Sequence, residues 1–184
     1  MVGLFFKKTY KFMSCDITKS RGYQCKESLG GTQNLYFLNF LDDAFTIDTA
    51  LGEATAINPL VTEVFKYEIE GDGNPLVEEL VPDSNTGTTV NTQTLTAILM
   101  KIDAETSAEL NLMAYGRPLA VVEDRNGVFH AIGLDDGLNV TVNQSTGGAK
   151  TDLNGYTLTG VSTTGALSPK LDASTITALK ALVA

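Results

Sequence analysis

Residues 117–160 read RPLAVVEDRNGVFHAIGLDDGLNVTVNQSTGGAKTDLNGYTLTG, and the fold class is decided there. Leu119, Ala120, Val121 and Val122 form a continuous apolar run, the mark of a strand covered on both faces. Arg125-Asn126-Gly127 follows, and Asn-Gly between apolar runs is the strongest short-range hairpin signal. Residues 128–134 return. A second turn falls at Asp135-Asp136-Gly137, after which Leu138, Val140 and Val142 alternate with Asn139 and Thr141. Asn154-Gly155 then launches Tyr156-Thr157-Leu158-Thr159. The expectation is a tight β-meander, built for packing and assembly and carrying no reactive constellation.

The same patterns extend upstream. Residues 35–41 (LYFLNFL) predict an aromatic strand, residues 45–57 are ambiguous, and Asn58-Pro59 breaks them. In residues 61–70 (VTEVFKYEIE), Phe65, Tyr67 and Ile69 share one face while Lys66, Glu68 and Glu70 share the other, the period-2 signature of a half-buried strand. Residues 92–100 (TQTLTAILM) are its expected partner. Between them, residues 71–89 read as a long polar loop with an acidic cluster, Glu78, Glu79 and Asp83. A loop of this length in a compact domain is either functional or a solvated excursion.

Two helices are predicted. Residues 103–115 have Asp103 as cap and Gly116 and Pro118 as stop, with Ala104, Ala108, Leu112 and Tyr115 as the apolar stripe expected to lie across an open sheet face. Residues 172–184 form a shorter one whose stripe, Ile176, Leu179, Leu182 and Val183, needs a docking surface in its own core or on a neighbouring subunit. The organisation is therefore an N-terminal arm and irregular segment (1–34), a β-sandwich or barrel domain (35–161) carrying helix 103–115 and loop 71–89, and a linker with a C-terminal helix (162–184). The class is mainly β with one or two helices (α+β): an antiparallel β-sandwich or split barrel with a flanking helix.

With 184 residues, folding buries roughly 70% of the surface of the unfolded chain, enough for a core without metal or disulfide. The net charge is −9. Diffuse acidity is the opposite of a phosphate grip, which needs clustered Lys and Arg; it suits solubility, or a passage along which nucleic acid slides without sticking. Basic residues gather before residue 27 (Lys7, Lys8, Lys11, Lys19, Arg21 and Lys26), so a basic arm on an acidic body is compatible with self-assembly. Met13 offers a second start, and residues 1–12 read as an extension or arm. Cys15 and Cys25 are the only cysteines. If oxidised they close a loop worth ~2–3 kcal/mol, but reduced thiols are expected, and with one histidine they cannot make a four-ligand zinc site. No apolar run reaches the ~20 residues of a membrane span.

The search for chemistry returns no catalytic residue, no cofactor-binding residue, no metal ligand set and hence no cofactor. His130, the only histidine, alternates with Phe129 and Ala131 and reads as a satisfied sheet residue. No Ser lies in a G-x-S-x-G elbow, and no phosphate loop or dinucleotide fingerprint is present. The carboxylate pairs Asp42/Asp43, Glu78/Glu79, Glu123/Asp124 and Asp135/Asp136 sit mostly at turns, where Asp serves local hydrogen bonds. The absence of Trp weakens a glycosidase. Asp83-Ser84-Asn85-Thr86-Gly87 lacks the spacing and terminal Glu of a calcium loop. Asn139-Val140-Thr141 matches the glycosylation pattern by chance.

The order of features resembles bacteriophage tail tube proteins and related virion structural proteins. Residues 119–133 (LAVVEDRNGVFHAIG), 137–142 (GLNVTV) and 152–160 (DLNGYTLTG) carry the resemblance, together with the strand–helix unit 92–116. It covers about the C-terminal two thirds; residues 1–60 add little, and the 1–12 extension departs from it. The resemblance implies a homo-oligomer, six copies in a ring whose inner strands close a barrel, with rings stacking into a tube that conducts DNA without binding it. It further implies a subunit assembled in the host bacterial cytoplasm and located in the virion tail beside other virion proteins. On that reading 71–89 is the inter-ring arm, 61–70 and 91–100 face the lumen, and Glu68 and Glu70 supply lumen charge. The alternatives are a monomeric β-sandwich binding module for carbohydrate or protein, with Tyr36, Phe37, Phe40, Phe65, Tyr67 and Phe129 as its aromatics, or a head or connector component. An enzyme is not expected.

Overall fold

The computed structural model describes residue 17 and residues 19–184. Eleven strands and two helices follow one another as β1 (Thr32–Leu38), β2 (Phe45–Asp48), β3 (Glu53–Ile57), β4 (Phe65–Glu68), β5 (Leu76–Asp83), β6 (Thr88–Met100), α1 (Ala104–Tyr115), β7 (Leu119–Asp124), β8 (Phe129–Ile132), β9 (Asn139–Ser145), β10 (Gly155–Thr164), β11 (Lys170–Leu171) and α2 (Ala173–Ala181). They form a seven-stranded sheet, order β2-β3-β11-β8-β7-β1-β4, packed on a four-stranded sheet, order β5-β6-β10-β9. The fold is thus mainly β with two helices, sandwich-like, as the patterning implies.

The expected single meander is divided between the two sheets. β7 and β8 pair as a hairpin in the large sheet, while β9 pairs with β10 in the small one. Burial explains the division. β7 is covered on both faces: Ala120 and Val122 point into the core between the sheets, and Leu119 and Val121 into a second core under α2. β9 buries Val140 and leaves Asn139, Thr141 and Asn143 exposed. A strand with one wet face cannot continue a sheet whose centre is dry on both sides. The crossing is fixed at Gly137, whose φ is +80 and whose missing Cβ would lie 2.6 Å from the Arg117 carbonyl oxygen.

Two further expectations are corrected. Residues 61–70 and 92–100 are not partners: β4 pairs with β1, and β6 lies between β5 and β10. Tyr67 meets Phe37 edge-on at 5.3 Å, which seats β4 beside β1. The stretch 71–89 is not a structureless loop. β5 and β6 pair from Leu76↔Leu95 to Asp83↔Thr88 as a long ribbon, and only residues 84–87 form its turn. That turn is closed by Gly87 N–H donating to the Asp83 carbonyl (2.9 Å) and Asn85 N–H donating to the Asp83 side chain (2.8 Å). The ambiguous stretch 45–57 is the β2–β3 hairpin.

α1 begins with the Asp103 carboxylate accepting from Thr106 N–H (2.8 Å) and ends where Gly116 N–H donates to the Leu112 carbonyl (2.9 Å). Its expected stripe faces outward: Leu112 and Tyr115 are exposed, and Leu110 with Met113 enters the inter-sheet core. The helix packs beside β9 rather than across an open face. α2, capped by Asp172 accepting from Thr175 N–H (2.7 Å), docks on its own chain, burying Leu179 with Ile176, Leu182 and Val183 against the large sheet. The stretch expected as a linker supplies β11, which inserts between β3 and β8. The layers are therefore α2, the seven-stranded sheet and the four-stranded sheet, the last with its outer face uncovered.

Candidate functional site

The unusual feature is how differently the two sheets treat their edges. Exposed edge strands invite pairing with other chains, and proteins blunt them with shortness, bulges, charge or Pro. The large sheet does so. β2 has four residues and a register shift at Thr46/Ile47. β4 has four residues carrying Lys66 and Glu68, paired at 2.6 Å, and is flanked by the C-terminal segment through Val64 N–H donating to the Leu182 carbonyl (3.0 Å). The small sheet does so unevenly. β9 runs seven residues, NVTVNQS, without charge, Pro or bulge. β5 runs eight residues and carries Glu79 outward, with Pro82 and Asp83 near its far end. Among the described residues no strand pairs with the outer side of β5 or β9.

The ribbon is held at a set angle by a polar clamp at its foot. Glu78 points inward from β5 and accepts from Ser168 N–H (2.7 Å), from the Ser168 hydroxyl, and from Asn91 Nδ2 (3.1 Å). Asn91 Nδ2 also donates to the Ala166 carbonyl (2.8 Å). Lys170 Nζ donates to the Ser168 carbonyl (2.7 Å) and hydroxyl oxygen (3.1 Å). Burial alone would raise the Glu78 pKa; the Ser168 and Asn91 bonds and the Lys170 charge outweigh it and hold the carboxyl below its ordinary range. Ser168 is buried with its proton directed at Glu78, so the Ser168–Glu78 contact joins the two sheets, and the Ser–Lys pair presents no accessible nucleophile. Burial lowers the Lys170 pKa against the opposing pull of Glu78 and Asp124.

His130 differs from its expected role. Its Nδ1 is buried without a partner, and Nε2 stands 3.9 Å from Asp124 Oδ2, beyond hydrogen-bond reach. Burial first, and the Lys170 charge second, push its pKa below the ordinary value. It borders a cleft of about 330 Å³ with Glu78, Asp124, Leu76 and residues 29–32. Glu78 is engaged by the clamp, and Asp124 closes the Asn126-Gly127 turn by accepting from Asn126 N–H and Val128 N–H (2.8 Å each).

The remaining candidates are dispersed. Glu123 is buried, accepting from Asn34 Nδ2 (2.6 Å) and the Tyr36 hydroxyl (2.9 Å); burial and this contact drive the Tyr36 pKa far upward. Tyr36, Phe37 and Phe129 are core, Phe40 and Tyr67 are partly buried, and of the six aromatics considered only Phe65 is exposed, so they form no aromatic groove. Glu68 and Glu70 are exposed at the β4 edge of the large sheet, remote in topology from β6. Among the described residues no group of three or more His, Cys, Asp or Glu could hold a metal ion, and no helix is long and apolar enough to cross a membrane. Cys25 is exposed; Cys15 and the 1–12 arm lie outside the described residues. The edges and the clamp escape sequence reading because both depend on long-range pairing. No protein-family model, curated protein or solved structure matches this chain.

Proposed function

We propose that this chain is a virion structural subunit of the tail-tube type, whose copies join β9 of one to β5 of the next and close into rings that stack as a conduit for DNA. The observation that carries the reading is the four-stranded sheet with two long edge strands, of which β9 has no charge, Pro or bulge, beside a seven-stranded sheet with short edge strands. Strand parity supports it. All pairs in β5-β6-β10-β9 are antiparallel, so β5 and β9 run in opposite directions. Rotating one copy onto the next then sets β9 antiparallel to the neighbouring β5, and the alternation continues without a break. Their lengths, eight and seven residues, also match. Six copies give 6 × 4 strands; at ~4.8 Å spacing the circumference is ~115 Å and the backbone diameter ~37 Å before strand tilt widens it. The projecting turn 84–87 is the part placed to touch the next ring.

Electron microscopy with mass measurement of the purified protein tests this. Rings or tubes are expected. A monomer that persists at high concentration refutes the reading, and a measurable glycan affinity of that monomer would assign it to the binding-module class.

A further inference from the structure

Between the two sheets, Gln93 carries a hydrogen-bond donor that the fold leaves unused. The reason lies in β11, which is only two residues long. On one side Lys170 N–H donates to the Gly52 carbonyl (3.0 Å), and on the other Ala131 N–H donates to the Pro169 carbonyl (3.1 Å). Before β11 the chain comes up from the small sheet, so no strand reaches Gly133, whose N–H lies two residues beyond Ala131 and points to the same side. Gln93 of β6 fills that place: its Oε1 accepts from Gly133 N–H (3.0 Å). This fixes the carboxamide, because only its oxygen can face a donor. Nε2 is thereby turned away from Gly133. Gln93 is 2% exposed, and among the described residues its Nε2 has no hydrogen-bond partner, yet it is not sealed from solvent.

That contact opens onto a cleft of about 410 Å³ between the β2–β3 turn, the end of β8 and residues 164–169. Gln93 and Ser168 are its buried polar lining, and Ile47, Leu134 and Leu167 are its apolar walls. The Ser168 hydroxyl is engaged by Glu78, and the Thr164 hydroxyl donates to the Ala166 carbonyl (2.8 Å). No Lys, Arg or His lines the cleft, and its single carboxylate, Asp135, is exposed.

We propose that this cleft binds a small uncharged molecule with an apolar body and a carbonyl acceptor, held by Gln93 Nε2. A concave site of this volume, mostly apolar with few placed polar groups, has the usual form of a small-molecule pocket. The donor sets the polarity of the contact. A ligand oxygen can accept from Gln93, whereas an ammonium would set donor against donor. An anion would find no cation in the cleft and would meet the Asp135 carboxylate, so desolvating it there is uncompensated. A carbonyl compound satisfies the buried donor and covers Ile47 and Leu167, which are 39% and 54% exposed. The site touches neither β5 nor β9, so it goes beyond the assembly reading and stands independently of it.

Cyclohexanone, an apolar ring with one acceptor, is the probe, titrated into isotope-labelled protein and followed by NMR. The Gln93 side-chain amide signal should move saturably. Cyclohexylammonium and cyclohexanecarboxylate, the same ring bearing a donor or an anion, should bind at least about fivefold more weakly. Gln93→Met should weaken the ketone about three- to tenfold. That change also removes the acceptor of Gly133, so Leu167→Ala, at an exposed wall position, is the second variant and should weaken the ketone at least about threefold. No saturable shift at Gln93, or an ammonium that binds as tightly as the ketone, overturns the proposal. So does a ketone affinity that Leu167→Ala leaves unchanged.

Discussion

Replacing Glu78 by Ala removes the acceptor that joins the ribbon to the opposite sheet, and the structure sets the size of the effect. Ser168 is 4% exposed, and its N–H has Glu78 as acceptor at 2.7 Å. A buried donor left unpaired costs about 1–3 kcal/mol. Asn91 keeps the Ala166 carbonyl at 2.8 Å, and the Ser168 hydroxyl keeps Lys170 at 3.1 Å, so those losses are partial and add about 1 kcal/mol together. The sum is about 2–4 kcal/mol. For a chain of this length each kcal/mol moves Tm by about 2–4 °C, so a fall of roughly 4–16 °C is expected. Glu79, next in sequence but on the outer face, is the control: Glu79→Ala should change stability by less than about 0.5 kcal/mol. Thermal and urea unfolding of dilute protein read both variants. If Glu78→Ala unfolds within about 0.5 kcal/mol of Glu79→Ala, the clamp does not hold the sheets and the fixed angle of the ribbon loses its basis.

Three further outcomes follow from particular contacts. Tyr156→Phe removes a buried hydroxyl that donates to the Asp103 carbonyl (2.9 Å) and meets Ser107 Oγ (2.5 Å); a loss of about 1–3 kcal/mol is expected, with faster amide exchange in α1 than in α2. Gly137→Ala meets both the positive φ and the Arg117 carbonyl, and should destabilise by more than about 2 kcal/mol by urea unfolding, whereas Gly165→Ala, where a Cβ meets nothing within 4 Å, should not. The His130 pKa is lowered in the fold, so protonation favours the unfolded chain. Stability from this residue is full above about pH 6.5 and is lost as pH falls through the folded value. Glu78, also lowered, acts only below its ordinary range near 4.5. Between pH 7 and about 5, wild type should therefore lose stability relative to His130→Asn; parallel profiles would contradict the burial of the neutral ring.

Local signals were readable where a single segment decides them. The Asn126-Gly127 turn, the caps Asp103 and Asp172, and the contrast between the all-apolar run of β7 and the alternation of β9 each act within a few residues. β5 was hidden because Glu78-Glu79 and Pro82 interrupt its apolar positions, and one of those glutamates is inward only because Ser168, ninety positions away, receives it. The buried face of α1 was misjudged because Ala104 and Ala108 look apolar yet bury little, while Leu110 decides the contact. The partner of β6 was misassigned because Phe65 and Tyr67 alternate as a half-buried strand would in either sheet. What remained illegible, edge and clamp alike, arises from pairings that periodicity does not encode.

Amide hydrogen exchange, followed strand by strand in dilute and in assembled protein, tests the central claim most directly. Outward-facing amides of β9 and β5 should slow on assembly while those of β2 and β4 keep their rates. Protection that appears instead at β2 or β4, with β5 and β9 still exchanging freely, would contradict it.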